Sequence, residues 1–176
     1  MIFKRLILAV LLMPLNLFAA STLWMTETMI NLRFDVENIS HQDLQKIILD
    51  KAKNNTIVFD VRRPEEYQRS RIKGSIQVDP EMKAEDFISK FGNKFNHKEL
   101  VFYCSVGYRS SVFIERIEKQ AKAVGVNKMH NLAGGIFRWY NEHLQLVNDQ
   151  GDTDDIHPSD ESWAHLIEPR VRISHD

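Results

Sequence analysis

The chain has 176 residues, of which 43% are apolar and 27% are charged, and its formal net charge is -1. A length of this kind holds one domain of about 100–200 residues with room for short extensions. The apolar and charged fractions fit a soluble globular protein with a packed core. Because the net charge is close to zero, the whole chain is not drawn to nucleic acid, and we expect no nucleic-acid partner.

The N-terminal region has the pattern of a secretion signal. Lys4 and Arg5 precede an almost entirely apolar stretch at residues 6–20, which ends in small residues. These features are typical of secretory signals, so we predict a signal peptide over residues 1–21 and an exported, periplasmic or extracellular protein. The alternative is an uncleaved membrane anchor over residues 6–25, which just reaches spanning length but contains polar residues. A membrane is an expected partner only in that case.

Strand-like and helix-like segments alternate along the middle of the chain. Short β-branched and aromatic runs are typical of buried strands, and apolar residues at helical spacing are typical of helices. The predicted strands are residues 56–61, 76–78, 100–103 and 126–132, and the predicted helices begin at Ser40, Pro64, Ala84, Ser111 and Ile136. Alternating apolar residues at 32–36 predict an additional edge strand. The order predicts an α/β domain over residues 26–147, with a mostly parallel central sheet between two layers of helices.

Cys104 is the only cysteine in the sequence, so no disulfide can form within the chain. It follows a predicted buried strand and precedes a predicted helix, at the edge of the sheet where ligand sites lie. The short loop contains Gly107, which allows backbone N–H groups to turn inward as an anion-binding nest, and it also contains Arg109. These features, with the positive end of the next helix, favour a reactive thiolate. The alternative is an inert buried cysteine.

Three motifs in register resemble those of single-domain rhodanese-like sulfurtransferases. In chain order they are residues 59–62 with Glu66, Tyr67 and residues 72–75; residues 103–110; and residues 131–135 with Trp139. The resemblance extends over roughly residues 55–143. It implies the three-layer rhodanese-like α/β fold, a persulfide intermediate on Cys104, and a loop whose N–H groups surround the sulfur. The substrate-binding residues that it implies are Ser105, Val106, Gly107, Tyr108, Arg109 and Ser110.

Charged residues near the loop have expected supporting roles. Arg109 can bind an anionic donor through its planar fork, or form a structural ion pair with Asp60 or Glu66. Asp60 lies at the end of a predicted strand, where we expect it to orient the loop. Arg62 forms a second ion pair nearby or is solvated.

Two further places in the sequence bear on the predicted loop. Family members commonly carry Gly-His where this chain has Ser70 and Arg71. If that position borders the substrate entrance, Arg71 makes the mouth more cationic, which fits an anionic donor. Gly134 and Gly135 permit a tight turn beside the loop, and Trp139 is expected in the core.

The implied reaction has two half-reactions. The Cys104 thiolate attacks the outer sulfur of an anionic donor such as thiosulfate or a persulfide, and a thiol or cyanide then removes that sulfur. No metal and no organic cofactor are expected. The chain has seven histidines, but none forms a close ligand pair with another histidine, and there is no second cysteine.

Other functions remain open. Cysteine phosphatases and arsenate reductases also combine a cysteine, an anion-binding loop and an arginine. In those enzymes five residues separate the cysteine from the arginine, whereas four residues separate Cys104 from Arg109. The shorter loop favours a single sulfur over a tetrahedral oxyanion. A non-catalytic binding module, or a persulfide carrier within a larger system, would use the same fold and loop.

The C-terminal extension, residues 148–176, differs in composition from the domain. Residues 149–161 include six acidic residues and no lysine or arginine, which predicts a solvated, disordered linker. Trp163, Leu166 and Ile167 then form an apolar patch. We expect this patch to pack back onto the domain rather than to dock a partner.

Overall fold

The computed structural model describes residues 15–50 and 55–170. The helices are α1 (Leu15–Arg33), α2 (His41–Leu49), α3 (Pro64–Arg69), α4 (Ala84–Phe91), α5 (Tyr108–Ala123) and α6 (Gly135–Asn141), and 3₁₀ turns occur at Gly92–Lys94 and Ala164–Leu166. The strands are β1 (Asn38–Ile39), β2 (Thr56–Asp60), β3 (Ile76–Gln77), β4 (Glu99–Tyr103), β5 (Lys128–Leu132), β6 (Leu146–Asn148) and β7 (Gly151–Thr153). Most of the predicted signal peptide, residues 1–14, lies outside the described residues.

Five strands form the central sheet in the order β1-β5-β4-β2-β3, and every neighbouring pair is parallel. The predicted α/β class, with a parallel sheet between helices, is therefore confirmed. Asp60 at the end of β2 is in register with Tyr103 at the end of β4. The two carboxyl ends therefore lie side by side, and Cys104 emerges at that edge.

Alternate residues of the strands face two separate apolar layers. On one face, Phe59 stacks on Phe102 with ring centroids 5.2 Å apart, and Phe87 of α4 and Phe113 of α5 pack on them. On the other face, Tyr103 of β4 and Leu132 of β5 pack with α1, α2 and α6. The buried strands are thus apolar on both sides, which explains why their sequences are continuous rather than alternating.

The start of α2 shows how closely local sequence determines structure here. Ser40 is extended, and its hydroxyl oxygen accepts a hydrogen bond from the Asp43 N–H at 3.1 Å. Leu44 on the inner face is fully buried. The predicted cap is therefore confirmed, because a serine at this position satisfies an N–H group that the helix cannot pair internally.

The prediction of an edge strand at residues 32–36 is wrong, because α1 continues to Arg33. Leu23 and Ile30 face the core from α1, and Phe34 follows them on the same side. Leu32, in contrast, is 84% exposed. The buried residues recur at helical spacing over a longer window than the short alternation from which the strand was predicted. Among the described residues, no helix is both long and apolar enough to cross a membrane.

The described part of the acidic extension is not a disordered linker. β6 and β7 form an antiparallel hairpin, and Arg71 pairs with Val147 across a β-bridge. Three acidic side chains form ion pairs with arginines, in the pairs Arg71–Asp149, Arg170–Asp154 and Arg69–Asp155. Leu166 is 1% exposed in the core, and Trp163 and Ile167 pack beside it. The prediction that the apolar patch packs back is therefore confirmed.

Candidate active site

Cys104 lies between the end of β4 and the start of α5, and its residue is only 1% exposed. The Gly107 N–H donates to Cys104 Sγ at 3.2 Å. Gly107 has a φ of 102°, a left-handed value that side-chain-bearing residues rarely adopt. The chain therefore turns back over the sulfur within three residues. As a result, α5 begins at Tyr108, earlier than the predicted Ser111, and Arg109 belongs to its first turn.

The start of α6 holds the other side of the loop. The Ile136 N–H donates to the Cys104 carbonyl at 2.9 Å, and the Phe137 N–H donates to the Ser105 carbonyl at 3.0 Å. In a trans peptide the N–H points opposite to the C=O. The N–H groups that follow these two carbonyls therefore point away from α6. Gly135 leaves room for this contact, which agrees with the expected tight turn at Gly134 and Gly135.

Asn131, at the end of β5, supports the loop from beneath. Its Oδ1 accepts from the Ser110 hydroxyl at 2.7 Å, and its Nδ2 donates to Asn38 Oδ1 at 2.9 Å. A Cβ at Gly107 would lie only 3.0 Å from Asn131 Nδ2. Asn131 is 1% exposed. It therefore fixes the position of the turn over Cys104, a role that its place in the sequence motif did not reveal.

Glu66 of α3 is the partner of Arg109. The guanidinium donates twice to the carboxylate, at 2.7 and 2.8 Å, and once to the Ser105 hydroxyl at 2.9 Å. Burial would raise the pKa of Glu66, but the hydrogen bonds and charge of Arg109 lower it to about 2. Burial likewise opposes the charge of Arg109, but Glu66 and the Cys104 sulfur raise its pKa above the ordinary value. Of the two expected roles of Arg109, the structure shows the ion pair, and with Glu66 rather than with Asp60.

Asp60 and Arg62 form a separate pair that does not line the cysteine pocket. Both side chains are fully buried, with Arg62 Nε 2.9 Å from Asp60 Oδ1 and Arg62 Nη2 donating to the Ser70 carbonyl at 2.7 Å. The guanidinium lies 5.7 Å from the centre of the Tyr103 ring. The pair therefore binds the turn after β2 to the end of β4, which gives it an indirect effect on the loop.

Arg71 also lies away from the pocket. Its guanidinium donates to Asp149 at 2.6 Å and covers the Tyr67 ring at 4.7 Å. Its backbone pairs with Val147. Arg71 therefore holds the β6–β7 hairpin, and its charge is balanced by an acidic residue of the extension instead of facing the substrate entrance.

The pocket over Cys104 has a volume of about 240 Å³. Its lining residues from the domain are Arg63, Glu66, Cys104, Ser105, Val106, Tyr108 and Arg109. The remaining wall is formed by the C-terminal extension through Ser159, Asp160 and Trp163. Four of the predicted substrate-binding residues thus line the pocket, whereas Gly107 and Ser110 hold the loop in shape.

Sequence reasoning missed much of this pocket. Glu66 belongs to the first motif, but it was predicted only as one of two possible ion-pair partners of Arg109. Arg63 directly follows residues 59–62 of that motif, and no role was predicted for it. The residues from the extension lie 50 or more positions beyond Arg109 in the chain. Across residues 15–50 and 55–170, no group of three or more His, Cys, Asp and Glu side chains is arranged to hold a metal ion.

The fold and the site together define an α/β protein with a buried cysteine in a tight loop between a strand and a helix. The rhodanese-like domain matches residues 40–142. The chain therefore belongs to the rhodanese-like domain family. No curated protein matches it.

Solved structures show the same fold. A Bacillus halodurans protein is 20% identical with a TM-score of 0.53, and the alignment covers 72% of this chain and 89% of that one. Thiosulfate sulfurtransferase from Pseudomonas aeruginosa is 16% identical with a TM-score of 0.53, covering 80% of this chain but only 26% of that protein. Identities this low show a common fold.

Proposed function

We propose that the protein is a sulfurtransferase in which Cys104 carries a sulfane sulfur as a persulfide. The observation that supports this most directly is the position of Cys104 Sγ, which lies at the base of a pocket and accepts the Gly107 N–H. Preorganised donors of this kind stabilise negative charge on a reacting sulfur without reorganisation. The fold and the thiosulfate sulfurtransferase neighbour agree with this chemistry.

In the first half-reaction, the Cys104 thiolate attacks the outer sulfur of thiosulfate. A sulfur–sulfur bond to Cys104 forms, the sulfur–sulfur bond of thiosulfate breaks, and sulfite leaves with the electron pair. In the second, an acceptor thiolate or cyanide attacks the outer sulfur of the persulfide, and the Cys104 thiolate is regenerated. Two sequential half-reactions of this type give ping-pong kinetics.

Recognition of an anionic donor is assigned chiefly to Arg63. The fork of Arg109 is occupied by Glu66 and Ser105, so Arg109 mainly keeps the loop in place. Arg63 is exposed, lines the pocket, and has no ion pair in the part of the chain that the structure describes. A free guanidinium at the mouth is a suitable ligand for a sulfonate or carboxylate group.

The proposal is tested by intact-mass measurement after incubation with thiosulfate or a small persulfide. We expect the wild-type chain to gain one sulfur atom that cyanide removes, and the Cys104→Ser variant to gain none. A wild-type mass that stays constant with every donor would instead favour a binding module. Turnover of a phosphate ester by the wild type would favour a phosphatase.

We also propose that the protein is exported, on the evidence of the N-terminal sequence pattern. Among the side chains of α1 that the structure describes, Leu23 is the first in the core, and Glu27 forms an ion pair with Arg138 at 2.8 Å. Cleavage near Ser21 would therefore leave every described core contact of α1 in the mature protein. N-terminal sequencing of protein from the native host should give a start at Ser21 or Thr22, and an intact Met1 would contradict cleavage.

A further inference from the structure

The outer wall of the Cys104 pocket comes from chain beyond the rhodanese-like match, which ends at residue 142. We refer to residues 157–163 as the C-terminal strap. On one side the strap is fixed by Asp155, whose carboxylate accepts two hydrogen bonds from Arg69 at 2.9 and 3.0 Å. On the other side Leu166 is buried, and its carbonyl accepts from Asn141 Nδ2 at 2.8 Å. The strap is therefore held at both ends across the mouth.

The strap limits the size of what reaches the sulfur. Cys104 is 1% exposed, and its sulfur is reached through the pocket between the loop and the strap. The pocket volume of about 240 Å³ is below the range of about 300–1,000 Å³ that is usual for drug-sized ligands. The site is therefore suited to small sulfur compounds and not to a thiol on the surface of a folded protein.

Two of the charged residues at the mouth of the Cys104 pocket have no ion-pair partner among the described residues. Glu66 and Arg109 neutralise each other in a bidentate pair. Arg63 and Asp160 remain, and both are exposed pocket residues. Asp160 accepts hydrogen bonds from the Ser162 N–H at 2.8 Å and from the Ser162 hydroxyl, and no cation pairs with it among the described residues. The rim thus presents one unpaired positive and one unpaired negative charge.

Trp163 adds an aromatic surface to the same wall. Its side chain is half-buried against the core and lines the pocket beside Asp160. An aromatic face next to a carboxylate attracts an ammonium group through both the ring quadrupole and the charge. A cationic group is therefore favoured on the strap side, and an anionic group on the Arg63 side.

We propose that the C-terminal strap makes the site selective for small zwitterionic thiols and their persulfides, with Asp160 and Trp163 binding the ammonium and Arg63 binding the carboxylate. This inference rests on the proposed sulfur-transfer function and names the substrate class of the same site. In the step concerned, the acceptor thiolate forms a bond to the outer sulfur of the Cys104 persulfide. The sulfur–sulfur bond to Cys104 breaks, and the electron pair returns to Cys104.

The test measures unloading of a preformed Cys104 persulfide by four thiols of similar size. These are cysteine (zwitterionic), cysteamine (cationic), mercaptopropionate (anionic) and mercaptoethanol (neutral), and the loss of one sulfur is followed by intact mass. Because each thiol has its own reactivity, the wild type is compared with each variant for the same thiol. We expect Asp160→Asn to slow cysteine and cysteamine by about two- to fivefold, and Arg63→Gln to slow cysteine and mercaptopropionate by a similar factor. Mercaptoethanol should be unaffected by either change.

Glu161→Gln is the matched control, because Glu161 is an exposed acid adjacent to Asp160 that does not line the pocket. It should leave all four rates unchanged. If Asp160→Asn and Arg63→Gln leave the rates unchanged, or change all four equally, the zwitterion assignment is wrong while sulfur transfer stands. If no donor loads Cys104 in the wild type, the proposed function fails as well.

Discussion

Replacing Gly135 with alanine should reduce the rate of sulfur loading onto Cys104 by about 100-fold. The added Cβ would lie 2.6 Å from the Ser105 carbonyl oxygen and still closer to that of Cys104. Both oxygens are backbone atoms, so the start of α6 and the active loop have to separate. The hydrogen bonds from Ile136 and Phe137 would then be lost, and the Gly107 N–H would no longer be held against the sulfur. Stopped-time intact-mass measurement with thiosulfate gives the loading rate.

Gly74→Ala is the matched control for this change. Gly74 also has a positive φ, 81° against 57° at Gly135, but a Cβ there meets no atom within 4 Å. Alanine at position 74 therefore has the backbone strain of a non-glycine residue with positive φ, about 1–2 kcal/mol, but no steric clash with other backbone atoms. We expect Gly74→Ala to lower thermal stability slightly and to load sulfur at the wild-type rate. Equal loading rates in the two variants would show that contact with α6 does not position the loop.

The second large effect is expected from Glu66→Gln, which should lower the free energy of unfolding at pH 7 by roughly 3 kcal/mol. The substitution keeps the shape of the side chain but removes the charge that pairs with Arg109. The guanidinium, whose side chain is 27% exposed, is then left in a site that water reaches poorly. Urea unfolding of the two proteins measures the difference.

The same pair predicts a dependence on pH. The folded-state pKa of Glu66 is about 2, below its ordinary value of 4.5. A carboxyl whose pKa is lowered by folding stabilises the protein fully above its unfolded value, and that contribution is lost as the pH falls toward the folded value. The difference in stability between wild type and Glu66→Gln should therefore be constant above pH 4.5 and shrink as pH 2 is approached.

Glu65→Gln provides the control for both measurements. Glu65 is the neighbouring residue of α3 but is exposed. Its removal should change the free energy of unfolding by less than about 0.5 kcal/mol, as is usual for surface substitutions. A Glu66→Gln variant that differs from wild type by the same amount at pH 7 and at pH 3 would contradict the assigned ion pair.

The fold was largely predictable because the strands and helices of the domain follow simple rules. β2 and β4 are short apolar runs buried on both faces, and α2 has both a serine cap and a regular apolar stripe. α1 was not predictable, because its buried residues Leu23 and Ile30 are widely spaced and its outer face is also apolar. The spacing of apolar residues does not show which of two apolar helix faces is buried, because that depends on the part of the domain against which the helix packs.

Only those parts of the site whose residues are close together in the sequence could be predicted. Cys104, Gly107 and Arg109 are close in sequence, so strand end, turn and helix start could be predicted together. The sequence limited the ion-pair partner of Arg109 to Asp60 or Glu66. It could not decide between them, because the answer depends on how α3 packs against the loop. Asp160 belongs to an acidic run that resembles a linker in composition, and its position at the pocket depends on arginines far away in the chain.

The buried residues of the extension have a consequence for how the molecule can be divided. Leu146 is 0% exposed, Ile156 is 8% exposed and Leu166 is 1% exposed, and all three belong to the core cluster on one face of the sheet. Full burial of side chains of this size contributes about 1.5–3 kcal/mol each. A fragment that ends at residue 142 would lack these three side chains, and the apolar residues that they cover on one face of the sheet would be exposed to water. The core of this protein therefore includes residues beyond the family match, which ends at residue 142.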